Sequence, residues 1–392
     1  MPYTPLFSYF ISPGKKTVTK NSAVWRQRLP LSRHFNSENS NSSPSHGEYF
    51  SAARSYLEKD SCKTLLRALE LHLRRKVSLH DIREIHIRLE KHGEFYHPAC
   101  VDVIFGRQKI PFALNVAVAE TGIKIIKNEF DCISRLNHEF SDSFIPEVFE
   151  LGEFRSAAGR EFKMFLGYWF EGYHEFHISR DPTVRENKIR VWNNDRHPCY
   201  LSYLQSADLY RQAARILTYY YKVESFEQIF SWHHGAGDFV VKIDPIGLDV
   251  KLISVRSYAP LFADLVDSAN KEMDPELILQ ALLIFFLNLS IRMRLDRYDG
   301  VGEIVWSDRV AVKSTLDGFF EGLGLKPPID SLPDSIETCF RYYLSVCTRE
   351  DLYELGKVVM NTFNRRAPEL QVVKQHLSNH VEELDYLFRQ IL

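Results

Sequence analysis

Long apolar runs are missing from this 392-residue chain. A membrane-spanning helix needs about 18 or more consecutive apolar residues. The nearest approach, Leu277 to Ile291, is interrupted by Gln280 and Asn288. Asp274-Pro275-Glu276 ahead of it supplies an N-cap acid and a proline at the first helical position, so the stretch reads as the buried central helix of a helical region. Cysteine is scarce: Cys62, Cys100, Cys132, Cys199, Cys339 and Cys347 are scattered, and none forms a CxxC pair. That argues against a disulfide framework or a zinc site and favours structural thiols in a reducing, cytoplasmic setting. Charge of one sign is not in excess. The formal net charge of −2 argues against electrostatic capture of nucleic acid by the whole molecule. No internal repeat recurs at the roughly 20–50-residue periods of solenoids and propellers.

What is abundant is aromatic mass. With 27 Phe and 19 Tyr in a chain that is 45% hydrophobic, two lobes with a sizeable core can form. Residues 1–47 stand apart. Lys15, Lys16, Lys20, Arg26, Arg28 and Arg33 all precede the first acid, Glu38, and a Ser/Asn tract follows from Asn36 to His46. This reads as a disordered basic tail and linker. A transit peptide would share the acid-poor start, but Pro2, Pro5 and Pro13 spoil an amphipathic helix.

Tyr49 to Lys76 has helical periodicity, with Leu57, Leu65, Leu66, Leu69 and Leu73 near one face, giving a helical extension over 48–80. The period then changes. Ile82 to Leu89, Cys100 to Phe105 and Phe112 to Val118 read as three successive antiparallel strands, with turns at Lys91-His92-Gly93 and Gly106 to Lys109. A helix from Ile123 to Leu136 follows. Glu129 lies three residues after Ile126 and four before Ile133, so it is on or beside the buried face, where a carboxylate needs a cation or donors. Two more strands, Val148 to Phe154 and Phe162 to Phe170, close at Glu171-Gly172, completing a strand-rich region over 81–170. In the remainder, 171–392, a polar segment from Ser179 to Pro198 reads as an insertion, and Tyr203 to Tyr221 as an amphipathic helix. Nearly everything beyond Ala259 reads as helical. The last helix, Glu369 to Leu392, has Leu370, Val373, Leu377, Leu384, Phe388 and Ile391 at heptad-like spacing, a stripe suited to internal packing.

The most specific stretch is Trp232-His233-His234-Gly235-Ala236-Gly237-Asp238, a polar loop loosened by glycine that runs into a buried strand. Phe239 to Ile243, a turn at Asp244-Pro245-Ile246-Gly247, and Leu248 to Val255 then form a hairpin. Five strands with one helix after the third, a Glu-Gly hinge, and a helical region carrying a polar loop and hairpin resemble the protein-kinase-like superfamily, closest to its aminoglycoside-phosphotransferase branch. The resemblance covers about residues 80–390. It implies an α+β, two-lobed fold with ATP or another nucleotide and Mg²⁺ in a cleft between the lobes. Asn115 falls where that family's third strand carries a phosphate-binding lysine, and Glu129 matches the helix glutamate that pairs with it. Ile145-Pro146-Glu147-Val148 resembles the entry to the fourth strand. Phe165 to Gly172 resembles the adenine-contacting hinge, which implies base contacts from Gly167, Tyr168, Trp169 and Glu171. Against the family's HGDxHxGN run, His233 takes the catalytic-base position and Asp238 the metal-binding Asn position. Ser254 stands where a second metal-binding Asp is expected, and only Gly93 marks the turn that usually covers the phosphates.

Phosphoryl transfer depends on positioning and on charge neutralisation by lysine and Mg²⁺. Asn115 removes the point charge, Ser254 removes a carboxylate, and Asp238 alone is a poor Mg²⁺ site. These departures point to a pseudokinase or a regulatory nucleotide- or ligand-binding protein. One alternative is an atypical phosphotransferase with His233 as base and rearranged charges among Lys242, Asp249, Lys251 and Arg256, each of which reads as a solvated strand residue. A second is an acyltransferase, since His233-His234-xxx-Asp238 matches an HHxxxD signature with His234 as base. His86, His92, His97, His174 and His177 fit no tetrahedral ligand spacing and read as surface or satisfied histidines. Substrate and protein partner are not encoded in any motif.

Overall fold

The computed structural model describes residues 3–14, 17–30, 43–93, 95–193, 198–230, 232, 236–245, 247–262 and 274–391. The chain divides into two compact units, Met1–Glu171 and Gly172–Leu392.

The first unit is built on a six-stranded sheet. Its strands are β1 (Leu6–Ile11), β2 (Ile82–Leu89), β3 (Ala99–Phe105), β4 (Gln108–Ala117), β5 (Val148–Arg155) and β6 (Glu161–Tyr168), in the spatial order β1-β2-β3-β4-β6-β5. All neighbours are antiparallel except β1, which lies parallel to β2. The basic tail is therefore not wholly disordered: Leu6-Phe7-Ser8-Tyr9-Phe10-Ile11 is an aromatic, β-prone hexamer that completes the sheet edge. Most of the Ser/Asn tract lies outside the described residues. A short α1 (Ala23–Arg26) follows β1.

α2 (His46–Leu73) covers one face of this sheet. Its Tyr49, Phe50, Ala53, Leu57, Leu65 and Leu69 share a core with Ile85, Val101, Phe112, Leu114, Met164 and Leu166. Ser45 and Glu48 cap it reciprocally, each side chain bonding the other's backbone N–H. The helix breaks at Lys59–Cys62, where Asp60, Ser61 and Cys62 take left-handed φ values of 48°, 59° and 63°. Glu150 of β5 staples the break: its carboxylate accepts from Lys59 Nζ (3.0 Å) on one side and from the Thr64 hydroxyl on the other. The Thr64 bond, followed by Lys59, holds the Glu150 carboxyl below the usual range. Close approach needs Gly152, because a Cβ there would fall 2.6 Å from the Tyr56 ring.

α3 (Glu120–Glu139) lies against the opposite face of β4, β5 and β6. Its buried Gly122, Ile126, Glu129, Ile133 and Leu136 recur at the spacing expected of one helical face, and Phe130 meets Phe165 of β6 at 5.8 Å between ring centres. Five antiparallel strands with a helix after the third, followed by a mostly helical unit, make an α+β architecture.

In the second unit, the polar insertion folds as an antiparallel sheet of β7 (Phe176–Asp181), β8 (Glu186–Val191) and β9 (Cys199–Tyr200). α4 (Tyr203–Tyr219) follows, then β10 (Glu227–Phe230), β11 (Phe239–Asp244), β12 (Gly247–Leu252) and β13 (Ser257–Pro260). β11 pairs with β12, and β10 with β13. α5 (Pro275–Met293) is capped by Asp274, with Pro275 in its first turn. Its length and composition would suit a membrane span, yet 83% of the apolar window is buried inside the protein. Beyond it come β14 (Leu295–Arg297), β15 (Ile304–Trp306), α6 (Arg309–Leu323), α7 (Ile336–Val346), α8 (Arg349–Met360) and α9 (Pro368–Ile391). The β14–β15 hairpin departs from the nearly all-helical expectation; three-residue strands carry too few alternating positions to be read as such. α4 and α6 approach through Gly318 and Gly322, where added Cβ atoms would meet Arg211 O at 1.9 Å and Thr218 Cβ at 2.5 Å. The apolar stripe of α9 packs inward, Phe388 lying 5.8 Å from Phe286 of α5.

His380 of α9 is fully enclosed, with Nε2 3.1 Å from the Ser290 hydroxyl and its ring edge-on to Trp306. Burial, reinforced by Arg294, lowers its pKa to about 3. An unfolded imidazole titrates near 6.5, so the stabilisation is complete above that pH and is lost as pH falls toward 3. The urea midpoint should therefore fall as pH drops from about 7 to about 4.5, and His380→Leu should flatten part of that slope. An unchanged slope in the variant would show that His380 does not carry it.

Candidate functional site

The hairpin β11–β12 fixes the position of Asp238. Gly237 takes a left-handed φ of 93°, turning the chain into β11, and the Asp238 carbonyl accepts from Ile253 N at 2.8 Å, extending the ladder by one rung. The Asp238 side chain is 7% exposed. Arg256, two residues past Ser254, grips it as a fork: one terminal nitrogen reaches Oδ1 at 2.6 Å and the other Oδ2 at 3.2 Å. A bidentate guanidinium–carboxylate pair is the strong, geometrically specific form of this interaction. Both carboxylate oxygens are thus engaged by a protein cation. The expectation of a solvated Arg256 fails here: its side chain is only 19% exposed. Its neighbours on the hairpin are partly engaged too. Asp249 accepts from the Tyr173 hydroxyl and lies 3.7 Å from Lys251, while Lys242 stands over the Tyr173 ring at 6.0 Å. Desolvation, and then the Asp249 bond, push the Tyr173 phenol up.

His233 and His234, the imidazoles on which the base assignments rest, lie outside the described residues, as does Gly235. The residue before them is fixed. Trp232 is buried, and its carbonyl accepts from Arg292 of α5 at 3.0 Å. Arg292 also donates to Asn288 Oδ1 (2.8 Å), stacks 4.2 Å from the Phe363 ring centre, and has its pKa lowered to about 10 by burial. Asn288 in turn reaches Gln228 of β10. Sequence reading passed over Arg292, although an arginine inside an otherwise apolar helix was the available signal.

In the first unit, Asn115 is half-buried on β4, opposite Phe165 in register and therefore on the sheet face that carries α3. Glu129, on α3, is 2% exposed. These two candidates share one side of the sheet. Gly167 is buried at the end of β6, where a Cβ would come within 3.1 Å of Glu147 O. The Tyr168 ring turns to the other face, meeting Phe149 at 5.2 Å and Phe112 at 6.0 Å, and its N–H donates to Glu147 O. Trp169 is half-buried and Glu171 exposed. Of the other histidines, His86 pairs with Glu84 at 2.8 Å, while His177 is buried against Asp296 at 3.0 Å.

No family model and no curated protein matches the chain. Among solved structures, that of "WaaP in complex with acyl carrier protein" aligns at a TM-score of 0.27 and 11% identity, covering 68% of this chain and 86% of that one. A likeness this loose does not bear on what the chain does.

Removing one partner of a shielded ion pair leaves the other charge uncompensated, at a cost of about 3–5 kcal/mol, whereas replacing both by apolar groups costs far less. Arg256→Ala should therefore destabilise the protein more than the double change Asp238→Leu with Arg256→Met. A double-mutant cycle of Asp238→Leu, Arg256→Met and their combination, read by urea denaturation, measures the coupling, and a double loss equal to the sum of the two single losses would mean that the pair is not coupled.

Proposed function

We propose that this chain is a divergent kinase-like protein with a regulatory or ligand-recognising role, and not an ordinary Mg²⁺-dependent phosphotransferase. The observation that carries this reading is the Asp238–Arg256 fork. Asp238 is the one carboxylate retained at the two metal-binding positions that the resemblance implies, the other being Ser254. A Mg²⁺ ion usually draws on one or two carboxylates plus substrate phosphates. Here the guanidinium already neutralises that carboxylate, so a metal would have to displace it and leave a cation beside its own charge. Electrostatic repulsion opposes that exchange. The residues present therefore do not fit the metal.

The uncharged Asn115 agrees with this reading, because no lysine stands at the position from which the family neutralises phosphate charge. Binding of a nucleotide, if retained, then rests on contacts from Gly167, Tyr168, Trp169 and Glu171 to the base, independent of metal. Tyr168 can contribute only main-chain groups to such a contact, since its ring is committed to the core.

Thermal-shift titration with ATP in EDTA, Mg²⁺ and Mn²⁺ tests the proposal. The expected result is a melting temperature that responds equally, or not at all, to ATP in all three buffers, with no phosphate released or transferred. A shift that requires Mg²⁺ or Mn²⁺ and disappears in Asp238→Ala would overturn it in favour of a working phosphotransferase.

A further inference from the structure

The end of α2 gathers positive charge that the proposed function does not use. Between residues 63 and 76 stand Lys63, Arg67, Arg74, Arg75 and Lys76 against one acid, Glu70, in a chain whose net charge is −2. The helix stops at Arg74, which takes a left-handed φ of 53°, and its N–H and that of Arg75 both return to the Glu70 carbonyl. The Glu70 carboxylate holds the residues that follow, accepting from Lys76 Nζ at 3.1 Å and from Val77 N at 3.3 Å. Arg67, Glu70, Leu71, Arg75 and Lys76 line an open concavity of about 420 Å³. We propose that this concavity docks an acidic peptide segment of a partner protein, with its carboxylates on Arg67 and Arg75 and an apolar side chain on Leu71.

The charges there are not matched within the protein. Lys76, followed by the Val77 N–H, holds the Glu70 carboxyl below its usual range, so the one acid on the wall is already engaged. Arg67 and Arg75 enter no ion pair among the described residues. Glu147 is the other acid within electrostatic reach of Arg67; burial raises its carboxyl, with the Arg67 charge opposing. Arg75 lies over the Phe105 ring at 5.4 Å, a support that orients the guanidinium without neutralising it. Helix C-termini attract cations, but that preference fades within the last turn. It accounts for Arg74 to Lys76 and not for Arg67, about two turns earlier. Arg67 and Leu71, four residues apart, share one face of α2, and Leu71 is 50% exposed. An apolar side chain so placed calls for an apolar contact, which a peptide supplies and a phosphate backbone does not. The guanidinium fork matches a carboxylate in paired hydrogen bonds, and arginine is among the residues that anchor protein interfaces.

The test uses the full chain without nucleotide, so its outcome is independent of the proposed function. A fluorescein-labelled peptide of glutamates with a leucine at every fourth position is titrated with the protein and followed by fluorescence anisotropy. The same peptide with glutamine for glutamate, and a labelled oligothymidylate, serve as the comparisons. The expected result is saturable binding of the glutamate peptide that weakens as NaCl is raised, with neither comparison binding as tightly. Arg67→Gln, Arg75→Gln and Leu71→Ser, all at exposed positions, should each weaken it about tenfold with the melting temperature unchanged. Absence of saturable binding, affinity unaltered in the three variants, or tighter binding of either comparison would overturn the proposal.

Discussion

The pairing of Asp238 with Arg256 is the constraint on which the functional reading depends. It occurs at the base of the β11–β12 hairpin, where the Asp238 carbonyl is also locked to Ile253. A carboxylate held this way is rigid, shielded from water and neutralised. Its electrostatic capacity is already used within the protein. A site built for a metal leaves a carboxylate's oxygens oriented but uncommitted to a cation; this one commits both.

A second arginine acts on the other side of the same polar stretch. Arg292 is almost wholly enclosed and would be costly to bury alone. It is made tolerable by Asn288, the Trp232 carbonyl and the Phe363 ring face. Residues 232 and 238 are thus each fixed by a guanidinium, one donated from the central apolar helix and one from the chain just past the hairpin. The common physical device is a charge-assisted bond to an oxygen near the loop, with the cost of burial spread over several acceptors. Such an arrangement favours a fixed conformation at the loop's ends over a centre that exchanges ions.

Much of the fold was legible because its periodicities are long and regular. The alternating Ile82-Ile85-Ile87-Leu89, the 123-126-130-133-136 helical spacing and the terminal stripe of α9 each bury the face that their pattern implies. Short or composite elements were not legible. β1 lies in a basic, proline-punctuated tail whose composition suggests disorder, and only its partnership with β2 reveals a strand. The three-residue strands β14 and β15 carry too little pattern. At the site, sequence identified Asp238 and named Arg256 among the charged neighbours, but it could not supply the partnership. Residues 18 apart in sequence meet only because a hairpin folds between them. Sequence spacing puts Glu129 on or beside a buried face, and its 2% exposure puts it on that face.

The most direct test of the central claim is a crystal structure grown or soaked with Mn²⁺ and a non-hydrolysable ATP analogue, with anomalous scattering used to locate manganese. The account predicts that the Arg256 fork on Asp238 persists and that no manganese lies within coordination distance of that carboxylate. An anomalous peak bound to Asp238, with Arg256 turned away, would contradict it.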